Sequence, residues 1–240
     1  MFVESYDWVI LATPNKLLVI IPAFNEEECI KSTVDELVDL APDLSFIVIN
    51  DGSTDCTAEI CRENGYPMID LPVNSGLTSA FQVGMKYAFR NGYQYAAQFD
   101  ADGQHMPSAL VEMYSSALSS GSDIVIGSRF VDAKKDFSPR MIGSRLISFM
   151  IKLTTRASVT DPTSGLRLFN RKMIERFATD RSLNPEPESI AYLIRKGASV
   201  SEIQCSMRER QAGESYLTFS KSISYMIRAC SSILFVQWFR

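Results

Sequence analysis

This chain predicts an α/β domain built on a twisted, mostly parallel sheet, and three features carry the prediction. Apolar runs of strand length recur without the polar alternation of a half-exposed sheet, most clearly 17–24 (LLVIIPAF) and 46–50 (FIVIN). Strand-like and helix-like segments alternate four times in about 100 residues, as right-handed crossover units do. Polar clusters then follow three strands at their carboxyl ends: Asn25-Glu26, Asn50-Asp51-Gly52, and Asp100 with Asp102. Ligands bind at those ends in open α/β sheets.

Taken in order, residues 1–16 read as a short extension before the first strand. Asn25 reads as a helix cap, and Glu26, Glu27 and Glu28 suit the positive end of a helix. That helix carries Ile30, Val34, Leu37, Val38 and Ala41 on one face. After 46–50 comes Asp51-Gly52-Ser53-Thr54-Asp55, then a second helix stopping at Asn64-Gly65. A short third strand spans 68–71, and a helix runs from about residue 78 to 90, ending at Asn91-Gly92. The fourth strand supplies Tyr95, Ala96, Ala97 and Phe99 and stops at Asp100.

The second half is less regular. Residues 123–130 (DIVIGSRF) form a strand ending in Ser128-Arg129, and 132–140 form a polar loop with Lys134, Lys135, Pro139 and Arg140. Residues 141–157 form an amphipathic helix with cationic Arg145, Lys152 and Arg156, suited either to a membrane surface or to the core with a solvated face. The turn Asp161-Pro162-Thr163-Ser164-Gly165 precedes a strand at 166–169, and a helix covers 189–196. Residues 222–239 are apolar with Arg228 inside them, so they pack on the domain, lie on a membrane, or begin a longer anchor. The expected division is 1–16 as extension, 17–217 as one catalytic domain, and 218–240 as a C-terminal amphipathic helix.

The 240 residues are 46% hydrophobic and 22% charged, enough for one α/β domain with a substantial core. A formal net charge of −4 gives no sign of a nucleic-acid partner. Five cysteines are scattered without a CxxC pair, which argues against zinc and for a reducing compartment. The N-terminus lacks a signal-peptide pattern, and no apolar run reaches the ~20 residues that span a bilayer. Neither GxGxxG after the first strand nor GxxxxGK[ST] anywhere is present, against a dinucleotide oxidoreductase or a P-loop NTPase.

Asp100 and Asp102 carry the chemistry. Residues i and i+2 of an extended chain point the same way, so both carboxylates can face one point. Hard oxygen ligands suit Mg²⁺ or Mn²⁺, often shared with substrate phosphates; the bland alternative is a solvated loop. The sole histidine, His105, is expected to support this loop rather than to act as a base. Glu186 and Glu188 are candidate general bases or, equally, favourable charges at the start of a helix.

The order PAFNEE, NDGSTD, NSG, FDADGQH, GSRF, DPTSGLRLF and RERQAGES, over about residues 17–217, resembles the family-2 inverting glycosyltransferases. The branch it resembles most contains dolichol-phosphate mannosyltransferase and bacterial polyprenyl-phosphate sugar transferases. The resemblance implies a GT-A-like nucleotide-sugar-binding fold in which Pro22, Ala23, Asn25, Glu26, Asp51, Asp100 and Ala101 border the nucleotide. It implies a Mg²⁺ or Mn²⁺ ion on Asp100, Asp102 and Gln104, with Arg129 and Arg210 serving phosphate groups. It further implies a nucleotide-diphosphate sugar donor, a polyprenyl phosphate acceptor, and a location at the cytoplasmic face of the membrane. Two alternatives stand beside it: transfer to a saccharide hydroxyl with Glu188 or Glu186 as base, and a non-catalytic nucleotide-sugar-binding protein. The chain departs from many relatives in having Asn50-Asp51-Gly52 where they carry Asp-Asp-Gly, and in its segment Pro185-Glu186-Pro187-Glu188.

Overall fold

The computed structural model describes residues 16–132, 139–208 and 219–235. The strands are β1 (Leu17–Ala23), β2 (Ser45–Asn50), β3 (Met68–Asp70), β4 (Tyr95–Gln98), β5 (Ile124–Ser128), β6 (Arg167–Asn170) and β7 (Val200–Gln204). They form one sheet in the order β3-β2-β1-β4-β6-β5-β7. The helices are α1 (Ile30–Leu40), α2 (Thr57–Glu63), α3 (Leu77–Arg90), α4 (Pro107–Ser120), α5 (Pro139–Thr155), α6 (Arg171–Thr179), α7 (Pro187–Arg195) and α8 (Phe219–Leu234).

Strand residues alternate between two cores because β side chains alternate in direction. Val19, Ile21, Val48 and Ala97 meet α1, α2 and α4 on one face. Leu18, Ile20, Ile49 and Ala96 meet α3 and α5 to α8 on the other. A strand covered on both sides has no solvated face, which is why the runs at β1 and β2 are apolar throughout.

Two topological details place the functional groups. The chain builds outward from β1 to β3, then returns to the far side of β1 with β4, so order reverses between β1 and β4. The crevice at such a switch point is where ligands bind. Second, β6 runs antiparallel to both its neighbours, β4 and β5, with Arg167 in register with Gln98 and Ile126. Its starting end therefore lies beside the finishing ends of β4 and β5. That reversal carries the turn 161–165 to the same rim as Asp100.

Asn25 does not cap a helix, contrary to the sequence reading. It adopts φ 55°, its side-chain oxygen accepts from Thr54 N at 2.8 Å, and α1 starts only at Ile30. Ser53 Oγ accepts from Asn25 N, and Thr57 Oγ1 accepts from Glu26 N, so the loops after β1 and β2 interlock. The C-terminal segment packs on the domain across its described part, with Ala229 and Ile233 buried against the α5–α7 side. No helix among the described residues is long and apolar enough to cross a membrane. The lysines of the 132–140 loop lie outside the described residues.

Candidate active site

Two cavities meet at one carboxylate. The first, of about 250 Å³, lies at the switch point and is lined by Pro22, Ala23, Glu26, Asp51, Asp100, Ala101 and Asp102, together with Phe24, Leu77 and Ala80. Six of the seven residues expected at the nucleotide thus line one cleft, and Asp102 joins them. Asn25 lies outside that set and holds the loop behind it. The second cavity, of about 520 Å³, carries Gln104, His105, Arg129, Arg167, Glu186 and Arg208 and shares Asp100 and Leu77 with the first.

Asp100 follows β4 after Phe99, and its surroundings fix both oxygens. His105 Nε2 lies 3.1 Å from Oδ2, and Gln98 Nε2 donates to Oδ1 at 3.1 Å. Burial works against its ionisation, but the His105 bond and charge, the Gln98 amide and the Arg167 charge outweigh it. Asp100 is thereby held below the usual carboxylate range. Its side chain is 35% exposed, open to the cavities. Gly165 makes room for it: a Cβ there would stand 2.6 Å from Asp100 Oδ2.

Asp102 is buried to 8% exposure and accepts from Gln104 N at 3.1 Å, an Asx turn that sets the loop. Gln104 turns the other way. Its side-chain amide reaches Arg208 O at 3.5 Å and lines the second cavity. Asp51 is buried and accepts from Ser75 N at 2.9 Å and Gly76 N at 2.7 Å, at the positive end of α3. Gly52 beside it has φ 66°, and a Cβ there would stand 2.5 Å from Val73 C, so this turn requires glycine.

Among the described residues, no three of His, Cys, Asp and Glu converge to cage a metal ion. The donor set on offer is two carboxylates, one of them held below the usual carboxylate range, at the wall of a cleft of about 250 Å³. That set fits a hard divalent cation that takes its remaining ligands from a diphosphate and water.

Arg129 is not an open phosphate fork. Its Nε and Nη2 donate to Asp161 Oδ2 at 2.7 Å and Oδ1 at 2.9 Å. Asp161 is positioned in turn by Glu202 on β7, which accepts from its backbone N at 2.8 Å. Arg208 is engaged bidentately with Glu36 on α1 at 2.8 and 2.7 Å. Arg210 lies outside the described residues. Of the two glutamates, Glu186 faces the cavity and accepts from Tyr225 Oη at 2.6 Å, while Glu188 is buried in the first turn of α7 beside Asn184. Burial pushes Glu186 above the usual carboxylate range, against the opposing effects of Tyr225 and Arg167.

Sequence reasoning missed Arg167, the largest fully buried side chain among the described residues. The signal was present: in LRLF, Leu166 and Leu168 alternate with Arg167 and Phe169, so a charged residue shares a face with a buried phenylalanine.

A three-layer α/β domain with paired carboxylates at its switch point, opening onto a second, arginine-bearing cavity, has the form of a nucleotide-binding group-transfer enzyme. The chain belongs to Glycosyl transferase family 2, whose profile matches residues 18–177, and it is a nucleotide-sugar-dependent glycosyltransferase. It is 27% identical over 218 residues to polyprenol monophosphomannose synthase of Mycolicibacterium smegmatis, covering 85% of this chain and 82% of that one. It is 31% identical over 179 residues to UDP-N-acetylglucosamine--dolichyl-phosphate N-acetylglucosaminyltransferase of Methanococcus voltae, covering 66% and 71%. Among solved structures, glucosyl-3-phosphoglycerate synthase of Mycobacterium tuberculosis, crystallised with Mn²⁺, UDP and glucosyl-3-phosphoglycerate, superposes with TM-score 0.64 at 19% identity, covering 95% and 81%. That likeness establishes the GT-A-like fold.

Proposed function

We propose that this enzyme transfers a sugar, with inversion, from a nucleotide diphosphate donor to a polyprenyl phosphate at the cytoplasmic membrane face. The observation that carries the reading is the pair of cavities meeting at Asp100: one is bounded by carboxylates, the other by arginines. Named relatives that act on polyprenyl and dolichyl phosphates support the acceptor class.

In this reading Pro22, Ala23, Glu26 and Asp51 frame the nucleotide, and Asp100 and Asp102 would hold Mg²⁺ or Mn²⁺ against its diphosphate. When bound, such an ion neutralises the charge that grows on the departing phosphate. Asp100 is kept anionic by His105 and Arg167, so it need not lose a proton to serve. The acceptor side needs cations rather than a base, because a phosphate monoester is already largely ionised near neutral pH, its second pKa being about 6. Gln104 would add a neutral ligand if its amide swung from Arg208 towards Asp102. Arg210 would contact phosphate from the segment that follows Arg208.

A hydroxyl acceptor would need Glu186 or Glu188 as base. Glu186→Gln and Glu188→Gln separate the two acceptors. Transfer to a short polyprenyl phosphate is expected to stay within about threefold of wild type in both, whereas the general base of a hydroxyl acceptor contributes about 10²–10⁴-fold. Glu186→Gln should also melt at or above wild type at pH 8. A carboxyl raised by burial favours folding while protonated and loses that contribution as pH rises through its folded pKa, so the gain vanishes in acid.

The membrane-facing surface is α5. Ile142, Leu146, Phe149 and Leu153 repeat at helical spacing and are exposed, Phe149 by 57% and Leu153 by 61%. Helices α5 and α8 pack together; their described side chains include cationic Arg145, Lys152 and Arg228, and the sequence of neither helix holds an acidic residue, in a chain of net charge −4. Apolar side chains among cations suit an anionic bilayer surface. Leu146→Glu with Phe149→Glu should reduce sedimentation with anionic vesicles at least fivefold and leave donor hydrolysis in solution unchanged. Undiminished sedimentation would remove α5 from the membrane contact.

A further inference from the structure

We propose that Arg167 binds the acceptor's phosphate, through the buried guanidinium N–H that the fold leaves without a partner. The inference rests on the reading of the acceptor as a phosphate and adds a residue to which the resemblance described above gives no role.

Arg167 is 2% exposed and contributes to the wall of the second cavity. Its Nη1 donates to Pro185 O at 2.7 Å and its Nη2 to Pro162 O at 2.8 Å. Its buried Nε has no hydrogen-bond partner. A guanidinium is charged at any ordinary pH, and enclosing one is costly unless every donor is met. Here two backbone carbonyls hold the group without neutralising it, and no ion pair with Arg167 forms among the described residues. The result is a fixed cation with an unsatisfied N–H.

The carboxylates facing the same cavity are already engaged. Asp100 is bonded to His105 and Gln98, and Glu186 accepts from Tyr225 and is pushed by burial towards its neutral form. The neighbouring arginines are committed as well, Arg129 to Asp161 and Arg208 to Glu36. Arg167 therefore supplies positive charge held in no direct ion pair among the described residues, though Glu186, Asp161 and Glu188 lie close enough to favour it, next to the carboxylate that borders the donor. An anion seated there would also sit within reach of Arg129 at the cavity rim. A neutral hydroxyl would gain much less from the same group, so Arg167 would set specificity for a phosphorylated acceptor.

Farnesyl phosphate and farnesol, each titrated into enzyme holding Mn²⁺ and UDP, test this. Wild type should bind the phosphate and not the alcohol. Arg167→Met should weaken the phosphate at least tenfold, as the loss of a charge-assisted hydrogen bond does, with Arg167→Lys in between. Manganese-dependent UDP binding should fall by a smaller factor than farnesyl phosphate binding, because Arg167 acts on Asp100 only through its charge. Equal farnesyl phosphate affinity in all three proteins would overturn the role of Arg167 and leave the proposed acceptor standing. No preference of wild type for phosphate over alcohol would overturn both. A parallel fall in UDP binding would show that Arg167 acts by keeping Asp100 in place, and would also overturn the proposal. Arg167→Lys, which keeps the charge, keeps the test open if the methionine variant does not fold.

Discussion

Asp102→Ala should abolish sugar transfer, lowering the rate by at least about 10³-fold, while the protein stays folded. Two unit charges about 4 Å apart interact by about 4 kcal/mol at an effective dielectric of 20, and a doubly charged partner nearly doubles that. A loss of about 4 kcal/mol in the transition state corresponds to about 10³ in rate. The structural cost is smaller by comparison. Asp102 closes an Asx turn onto Gln104 N, and one such bond contributes about 1 kcal/mol to stability. Transfer rate, melting temperature and UDP binding with and without Mn²⁺ together give the answer. Near-normal transfer, or UDP binding that Mn²⁺ never strengthened in wild type, would remove the carboxylate pair from the mechanism.

Gly165→Ala should be nearly as damaging although it adds one methyl group and removes no functional group. The new carbon would fall 2.6 Å from Asp100 Oδ2, well inside contact distance. Asp100 cannot yield freely, since His105 and Gln98 hold its two oxygens. Either the carboxylate swings off both partners or the start of β6 retreats with Arg167 behind it. Overpacking of this kind costs about 1–3 kcal/mol. The expected result is a melting temperature lowered by several degrees and a transfer rate lowered at least about 10²-fold, since a displacement of about 1 Å can cost that much. An unshifted melt with full activity would mean that Asp100 can move without consequence, and the geometry drawn around it would lose its force.

The buried strands and their carboxyl-terminal polar clusters were legible because burial on two faces imposes an apolar run that nothing else in the chain imitates. Strand β7 was not: each of its residues is half-buried at the sheet edge, so Val200–Gln204 shows no such run. Helices α4 and α6 went unread as well, and so did the reversal of β6, since strand direction depends on the neighbour that a segment meets. In the site, the polar strand ends were legible and line one cleft, while the set assigned to a nucleotide came from the family resemblance. Arg129 and Arg208 were recognisable as cations, but their partners Asp161 and Glu36 lie 32 and 172 residues away, beyond any spacing rule. Asn25 misled because its local pattern is that of a cap, while its actual partner, Thr54, belongs to another loop.

One carboxylate serves as a party wall between the two chambers. A guest on either side that alters the set of Asp100 changes the welcome offered on the other, and linkage requires the influence to be equal in both directions. On the proposed reading, donor and acceptor would then influence each other's binding through Asp100 alone, without any moving domain to carry the message.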